Sequence, residues 1–300
     1  MEAFLTSEKS ISVHDKKTQV KRFDEIESKL YHAKSRVEIF ADVAFRKLIF
    51  RRLDKIIPKN GILSLDVFDT LLMRDNFAEL RRFVEIGERM SECVKKVKPI
   101  DAFLSRYLAT KASYRAGKTV KGCREGSLTE IHQTASRLLG LNDEMKEKFI
   151  ELELEYEAER VSINHLLFDY LSTHCRRGGR AILVSDMYMH ADQIEQLLIK
   201  KGVDTKIFLQ IFTSADSKVS KASNGIFDQI EKKLSAKTKD FLHLGDNLSG
   251  DFQNPLAHGW KALHLPIPRA EIESRRHDHF LIAEQLKQKH GLIVDISIPQ

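Results

Sequence analysis

The stretch GILSLDVFDTLL, residues 61–72, gives the clearest information about the fold. An apolar run that begins at Ile62 meets a carboxylate at Asp66, and a second carboxylate follows three positions later at Asp69. Charged carboxylates are costly to remove from water, and they persist in buried positions when they are paired or bound to a cation. We therefore predict that a buried strand over Ile62–Val67 ends at a functional site.

Residues 165–265 alternate between helical and strand-like segments. Runs of aliphatic residues bounded by polar or glycine-containing turns predict strands, and the segments between them have helical spacing. This alternation requires crossover connections and predicts an α/β fold with a Rossmann-like parallel sheet and helices on both faces. The predicted strands are Ala181–Val184, Phe208–Thr213, Phe241–Leu244 and Lys261–Leu265, and the predicted helices are His165–His174, Ala191–Lys200, Gly225–Leu234 and a short one at Leu256–Gly259.

Residues 76–164 show no strand pattern and predict an all-helical insert after the first strand. Polar helix starts precede apolar residues at three- and four-residue spacing, and glycines punctuate the segments between. The predicted helices are Arg81–Lys96, Asp101–Gly117, Leu128–Leu139 and Asp143–Glu159.

The first 60 residues carry most of the net charge of +6, with 14 Lys and Arg residues against 9 Asp and Glu. Residues 20–57 predict one long amphipathic helix, which Pro58 and Gly61 end. We interpret the basic residues as a solvated helix face; a surface for an anionic partner or membrane is the alternative. The apolar stripe needs a cover, which suggests a homodimer through this helix.

Several functional classes are not supported by the sequence. No run of 18 apolar residues predicts a transmembrane segment, and Met1–Ser10 does not resemble a secretory signal. Cys93, Cys123 and Cys175 form no metal or disulfide spacing, which indicates a reducing compartment and a cytoplasmic location. No nucleic-acid-binding motif is present, so we expect no nucleic-acid partner.

Polar side chains follow three of the predicted strands. Asp66, Ser185 and Asp246 stand just beyond a strand end, and Asp251 lies five residues after Asp246. Ligands of open parallel sheets bind beyond the carboxyl ends of the strands, so these side chains should converge. Three clustered carboxylates require a cation, and an all-oxygen ligand set suits Mg²⁺ best.

The expected site has the components of phosphoryl chemistry. A carboxylate beside Mg²⁺ can attack phosphorus and form an aspartyl-phosphate that water then hydrolyses. Ser185 and the N–H groups after it could hold phosphate oxygens, and a lysine at a helix start would neutralise the phosphoryl group. Lys221 is the expected lysine, with Lys218 as its competitor.

Four ordered stretches resemble the motifs of the haloacid dehalogenase (HAD) superfamily. The helical insert falls where that superfamily places its first-position cap. The sequence is most similar to bacterial HAD hydrolases with a Phe-Asp-Thr-Leu-Leu first motif, some of which accompany surface-polysaccharide glycosyltransferases. The stretches are DVFDTLL (66–72), LVSDMY (183–188), VSK (219–221) and LGDNLSGD (244–251).

The resemblance implies a role for each matching residue. Asp66 would be the nucleophile and would share Mg²⁺ with the Phe68 carbonyl, Asp246 and Asp251. Ser185 and Lys221 would bind phosphate. The wider catalytic set comprises Asp66, Asp69 and Lys221, and Thr70 and Asp186 join the substrate-binding group; Asp186 also suits a loop brace.

One position departs from the pattern. Phosphatases of the superfamily usually carry a second Asp two residues after the nucleophile as general acid and base, and this chain has Phe68 there. Asp69 stands one position further, which sends a strand side chain to the other face. Asp69 could therefore brace the turn instead of transferring a proton.

These features lead to one preferred function and two alternatives. The preferred function is a Mg²⁺-dependent phosphomonoesterase of a small phosphorylated metabolite, for which a sugar or glycerol phosphate is one candidate. The alternatives are a dehalogenase-like C–X hydrolase and a catalytically weak binding or assembly protein linked to surface-polysaccharide synthesis. The expected divisions are a basic helical extension (1–59), an α/β core (60–75 and 165–268), a helical cap (76–164) and a helical tail (269–300).

Overall fold

A five-stranded parallel sheet forms the centre of the fold, as predicted. The computed structural model describes residues 24–296. Across the central sheet the strand order is β5-β4-β1-β6-β7, where the strands of the described chain are β1 (Ile62–Leu65), β2 (Leu72–Arg74), β3 (Val161–Ile163), β4 (Arg180–Ser185), β5 (Gln210–Thr213), β6 (Phe241–Gly245) and β7 (Lys261–His264).

Helices cover both faces of this sheet and extend beyond it. In chain order the helices of residues 24–296 are α1 (Glu25–Tyr31), α2 (Arg36–Ala41), α3 (Val43–Ile56), α4 (Glu79–Cys93), α5 (Pro99–Ala116), α6 (Leu128–Leu138), α7 (Glu144–Arg160), α8 (His165–Arg176), α9 (Ala191–Lys200), α10 (Ser214–Ser217), α11 (Gly225–Leu234), α12 (Asn254–His258) and α13 (Arg269–His290). Two 3₁₀ turns, Thr205–Ile207 and Thr238–Asp240, and a π-helical turn, Leu248–Gln253, complete them. None of these helices combines the length and the apolar character needed to cross a bilayer.

The central position of β1 determines where the functional residues meet. Leu65 lies in register with Leu183 of β4 on one side and with Leu244 of β6 on the other. The Asp66 N–H continues this pairing by donating to the Leu244 carbonyl at 2.8 Å. Because all three strands are parallel, the residues that follow them lie at one edge of the sheet.

Two apolar layers hold the sheet in place. On one face, Ile62, Val184 and Phe241 pack with α11 and with Trp260, whose ring stacks on Phe241 at a centroid distance of 4.1 Å. On the other face, Leu63 and Leu65 join the main core. Full burial of one such side chain contributes about 1.5–3 kcal/mol, so the strands are fixed mainly by these contacts.

The predicted insert contains the expected helices and one strand that the sequence did not predict. Helices α4 to α7 lie between β2 and β3, which pair antiparallel with Leu72 opposite Ile163. The prediction that residues 76–164 contain no strand was therefore wrong at Val161–Ile163. Three residues are too few to show alternation, and this strand exists because its partner lies beside it.

The long N-terminal helix predicted over residues 20–57 was also wrong, because α1, α2 and α3 are separate. Ser35 and Asp42 are N-caps whose side chains accept hydrogen bonds from the Glu38 and Phe45 N–H groups, and such caps favour new helix starts. Residues 20–23 of that prediction lie outside the described residues, as does Met1–Ser10.

The apolar stripe of the N-terminal helices is covered within the chain in part. Ile26, Leu30, Ile49 and Leu53 are buried in the main core, whereas Val37 and Val43 are exposed. The homodimer suggested by this stripe therefore stays a prediction.

A buried ion-pair network joins the N-terminal and C-terminal helices to the turn after β1. Arg36 of α2 contacts Asp69 and Glu271 at 2.8 Å each, and Arg275 of α13 contacts Asp69 at 2.7 Å. Asp278 of the same helix accepts a hydrogen bond from the Ala78 N–H at the start of α4. The terminal helices are thus bound to the strand that carries Asp66.

We predict that Arg36→Met lowers the free energy of unfolding by about 3–5 kcal/mol, because it leaves two buried carboxylates short of a partner. Urea denaturation followed by circular dichroism measures the change. Arg269→Met is the matched control, since its pair with Glu273 is exposed and should leave stability unaltered. Equal loss in both variants would contradict a stabilising role for the network.

Candidate active site

The structure brings together the three carboxylates that the sequence placed at the strand ends. Asp66 follows β1, Asp246 follows β6, and Asp251 lies in the π-helical turn after it. One oxygen from each carboxylate lies within 4.8 Å of the others. Asp66 and Asp251 are buried, and Asp246 is half-buried. This spacing allows one cation to contact all three side chains.

Lys221 supplies a cation of the protein itself at this cluster. Its Nζ lies 2.5 Å from Asp66 Oδ1 and 2.6 Å from Asp251 Oδ1, and it donates to the Val184 carbonyl at 3.1 Å. The competing Lys218 lies instead 3.4 Å from Glu130 of α6. Of the two candidates, Lys221 therefore enters the site, and Lys218 contacts the helical insert.

The charges of the cluster do not balance. Burial raises the pKa of Asp66 to about 7 against the opposing effect of Lys221, and burial followed by Asp66 raises the pKa of Asp246 well above its usual range. The pKa of Asp251 is lowered despite burial, because Lys221 and His243 contact it. The cluster thus has three carboxylates and one ammonium, which contacts Asp66 and Asp251. The shortage of positive charge and the all-oxygen donor set fit a divalent cation such as Mg²⁺.

His243 positions Asp251 and was missed by the sequence reasoning as a functional residue. It lies in register with Ser64, and its ring bridges Ser64 Oγ at 2.7 Å and Asp251 Oδ1 at 3.1 Å. Burial lowers the pKa of His243. The sequence did contain a signal for this contact, because Ser64 and His243 are polar residues inside two otherwise apolar strands. They occupy positions that pair in register.

The loop after β6 folds back tightly to deliver Asp251. The Asn247 N–H donates to Asp251 Oδ2 at 2.9 Å. Gly245 leaves room for this approach, since a Cβ there would lie 2.2 Å from Asp251 Cγ. Only glycine therefore fits at position 245 without displacing the carboxylate.

The residues predicted to bind substrate differ in the contacts that they make. Ser185 is buried at the end of β4, and its Oγ accepts a hydrogen bond from the Met187 N–H at 3.2 Å. Thr70 Oγ1 donates to Asp246 Oδ1 at 3.3 Å. Asp186, in contrast, accepts from the Lys221 and Ala222 N–H groups at 2.8 and 3.1 Å. These bonds are those of a loop brace, which was the alternative interpretation of Asp186.

Asn254 also holds the Lys221 loop and was not anticipated. Its Nδ2 donates to the Lys221 carbonyl at 2.9 Å and to the Ala222 carbonyl at 3.2 Å. The segment that carries the lysine is therefore tied to both the β4 loop and the start of α12. No local pattern in the sequence marks this long-range contact.

Asp69 lies in the left-handed region with φ of 61°, and its carboxylate is saturated by arginines. Arg275 donates to both carboxylate oxygens at 2.9 and 2.7 Å, and Arg36 donates at 2.8 Å. Despite burial, Arg275 and then Arg36 hold the pKa of Asp69 far below its usual range. A group held as a carboxylate in this way is suited to brace the turn and poorly suited to donate a proton.

A cavity of about 360 Å³ opens onto the cluster. The Phe68 carbonyl accepts none of the turn's backbone hydrogen bonds among the described residues, so it can serve as a further oxygen ligand. The cavity is lined by the three clustered aspartates, by Phe68, Asp69, Arg74, Ser185, Asp186 and Met187, and by Lys221, Ala222, Asn247 and Gly250.

The β4 loop also contacts the helical insert. The Tyr188 carbonyl accepts a hydrogen bond from the Leu128 N–H at 2.6 Å, and the Tyr188 hydroxyl donates to Glu153 at 3.0 Å. Glu153 is itself paired with Arg106 at 2.6 Å. The loop that carries Ser185 is thus anchored to three helices of the insert, α5, α6 and α7.

Of the known proteins compared with this chain, solved structures alone gave matches. The sequence matches no protein-family model and no curated protein. A 2-haloacid dehalogenase from Pseudomonas syringae has 13% identity and a TM-score of 0.48, over 68% of this chain and 85% of that one. A HAD family enzyme from Bacteroides thetaiotaomicron, in complex with magnesium and inorganic phosphate, has 14% identity and a TM-score of 0.44, over 68% and 93%.

A HAD hydrolase from Bacillus subtilis bound to magnesium has 16% identity and a TM-score of 0.43, over 73% of this chain and 98% of that one. These three similar structures are all of haloacid dehalogenase or HAD-type proteins. What this chain can do chemically depends on the geometry of its own carboxylates and lysine.

We predict that Mg²⁺ stabilises the protein by about 2–3 kcal/mol at a hundredfold excess over its Kd. Asp246→Asn should raise the metal-free melting temperature, because it removes a buried acid that is costly to ionise beside Asp66, and it should abolish the Mg²⁺ response. Asp186→Asn is the control that should keep the response. Differential scanning calorimetry with and without Mg²⁺ measures both, and an unchanged response in Asp246→Asn would argue against the metal site.

Proposed function

We propose that this protein is a Mg²⁺-dependent phosphatase of the HAD type, acting on a small phosphorylated metabolite. The observation that carries the proposal is the convergence of Asp66, Asp246, Asp251 and Lys221 at one edge of the parallel sheet. A carboxylate nucleophile beside a lysine and a cation site suits transfer of a phosphoryl group.

The residues would divide the reaction between them. A carboxylate oxygen of Asp66 attacks phosphorus, the bond from phosphorus to the leaving oxygen breaks, and water later cleaves the aspartyl-phosphate. Lys221 neutralises the phosphoryl oxygens, and Ser185 holds one of them. Mg²⁺, held by Asp66, Asp246, the Phe68 carbonyl and Asp251 beside them, would supply charge screening.

Each carboxylate that lines the cavity among the described residues is already engaged. The carboxylates of Asp66 and Asp251 contact Lys221, Asp69 is paired with two arginines, and Asp186 accepts two N–H bonds. Asp246 belongs to the cation site. The leaving oxygen must therefore depart without help from a dedicated acid, which costs roughly 10²–10⁴-fold for a poor leaving group.

We predict a steep dependence of the rate on the leaving group. p-Nitrophenyl phosphate, whose phenolate needs no protonation, should be cleaved about 10²–10⁴-fold faster than an alkyl phosphate. Steady-state phosphate release over a series of aryl and alkyl esters measures this dependence. A flat dependence would indicate that an acid operates in the complex.

The decisive test of the function is a metabolite panel assayed with and without Mg²⁺. Phosphate release should require Mg²⁺, disappear in Asp66→Asn, and survive in Lys218→Met, whose lysine contacts Glu130 instead. A dehalogenase-like C–X hydrolase would continue in the presence of chelator. Its chemistry leaves the cluster of three acids without a role, so the geometry gives it no support.

A second candidate is a catalytically weak binding or assembly protein linked to surface-polysaccharide synthesis. The pairing of Asp69 with Arg36 and Arg275 favours it, because the acid nearest the nucleophile in sequence is committed to structure. Mg²⁺ binding without phosphate release from any substrate would support this alternative over the phosphatase.

We also propose a division of the chain into a cap and a catalytic core. Residues 76–164 would act as a cap that closes over the cavity and selects the substrate, and residues 60–75 with 165–268 would form the catalytic core. We place the protein in the cytoplasm. A homodimer through the N-terminal helices stays a proposal that light scattering can test.

A further inference from the structure

Arg74 presents a guanidinium group to the cavity that contains the phosphatase site. It is the last residue of β2, eight positions after Asp66, and it lines the same cavity as Asp66 and Lys221. Its guanidinium carbon lies 4.4 Å from the centre of the Phe68 ring. A permanent positive charge therefore stands in the space that a substrate would occupy.

The backbone of Arg74 is held by the ion-pair network described above. Its N–H donates to Asp69 Oδ1 at 3.3 Å, and its carbonyl accepts from Arg36 at 3.0 Å and from Arg275 at 3.4 Å. These contacts fix the start of the side chain. The network around Asp69 therefore also determines the position from which the Arg74 side chain extends.

The guanidinium itself is poorly satisfied. Among the described residues, the hydrogen bond it makes is to Met187 Sδ at 3.0 Å, and a thioether sulfur is a weak acceptor. Its Nε forms an ion pair with Glu157 Oε2 at 3.4 Å, in which both atoms are buried and neither makes a hydrogen bond. Glu157 is shared with Arg82 at 3.6 Å, so it does not saturate Arg74.

A partly desolvated guanidinium with unused donors is suited to a carboxylate or phosphate, which it can bind through two parallel hydrogen bonds. A hydroxyl group would replace the weak sulfur contact with little gain in charge compensation. The phosphoryl group of a substrate would lie against Lys221 and Ser185, and Arg74 would then face the remainder of the molecule within the 360 Å³ cavity.

We propose that the substrate is a phosphate monoester that carries a second anionic group, a carboxylate or another phosphate, and that Arg74 binds this group. The inference depends on the proposed phosphatase function and specifies its substrate class. Arg74 is thereby a specificity-determining residue, separate from the residues that contact the transferred phosphoryl group.

Matched substrate pairs test this inference. 3-Phosphoglycerate and glycerol 3-phosphate differ by a carboxylate against a hydroxymethyl group, and fructose 1,6-bisphosphate and fructose 6-phosphate differ by the second phosphate. In each pair, we call the compound with the second anionic group the anionic member and the compound without it the neutral member. The wild-type protein should favour the anionic member of at least one pair by about 10- to 100-fold in kcat/KM. The favoured pair identifies the second group as carboxylate or phosphate.

Arg74→Gln should remove this preference by lowering kcat/KM for the anionic member while leaving the neutral member within about threefold. Arg74→Lys should restore part of the preference. Arg89→Gln is the matched control, because it removes an arginine of the insert whose partner is Glu159, away from the cavity. Equal turnover of both members by the wild-type protein, or equal loss for both in Arg74→Gln, would overturn the inference.

A binding measurement distinguishes failure of the Arg74 inference from failure of the proposed phosphatase function. If no member of either pair releases phosphate, isothermal titration calorimetry of Asp66→Asn with Mg²⁺ present compares the same ligands. Tighter binding of the anionic member that is lost in Asp66→Asn/Arg74→Gln supports the role of Arg74 in the absence of catalysis. Equal affinity for both members overturns it.

Discussion

The meeting of three carboxylates, two of which pair with one ammonium group, is the constraint on which the rest of the structure depends. Parallel strands end at one edge of a sheet, so the residues after β1 and β6 are brought together whatever the cost of their charges. Lys221 compensates part of that cost, and the remaining negative charge would suit a divalent cation. Hydrogen bonds with His243 and Asn247, together with the space that Gly245 leaves, hold Asp251 in this cluster.

A second buried charge network lies directly behind the first. Asp69 is three residues from Asp66, yet its carboxylate belongs to Arg36 and Arg275 from opposite ends of the chain. The helices outside the α/β core therefore support the candidate site, because they fix the turn that follows Asp66, the proposed nucleophile. The same network holds the backbone of Arg74, which links the stability of the terminal helices to the position of a cavity residue.

The cavity is lined by two cationic side chains and by aspartates that are already engaged in other contacts. Lys221 and Arg74 offer donors to anions, while each aspartate that lines the cavity is engaged with a cation, an N–H group or the metal site. Under the proposed function, such a site would discriminate by charge and by the stability of the leaving group. It would favour small anionic phosphate esters, and the helical insert, which contacts the β4 loop through Tyr188, would exclude water.

The sequence alone determined the α/β sheet, the helices of the insert and the identity of the clustered acids, because strand ends and helical periodicity are local properties of the chain. Local pattern did not show that Asp69 pairs with arginines 33 and 206 residues away, that His243 supports Asp251, or that Arg74 faces the cavity. It also missed β3 and the breaks between α1, α2 and α3. Periodicity reports whether a side chain is buried, whereas its partner is decided by which distant segment packs against it, and only the tertiary structure contains that information.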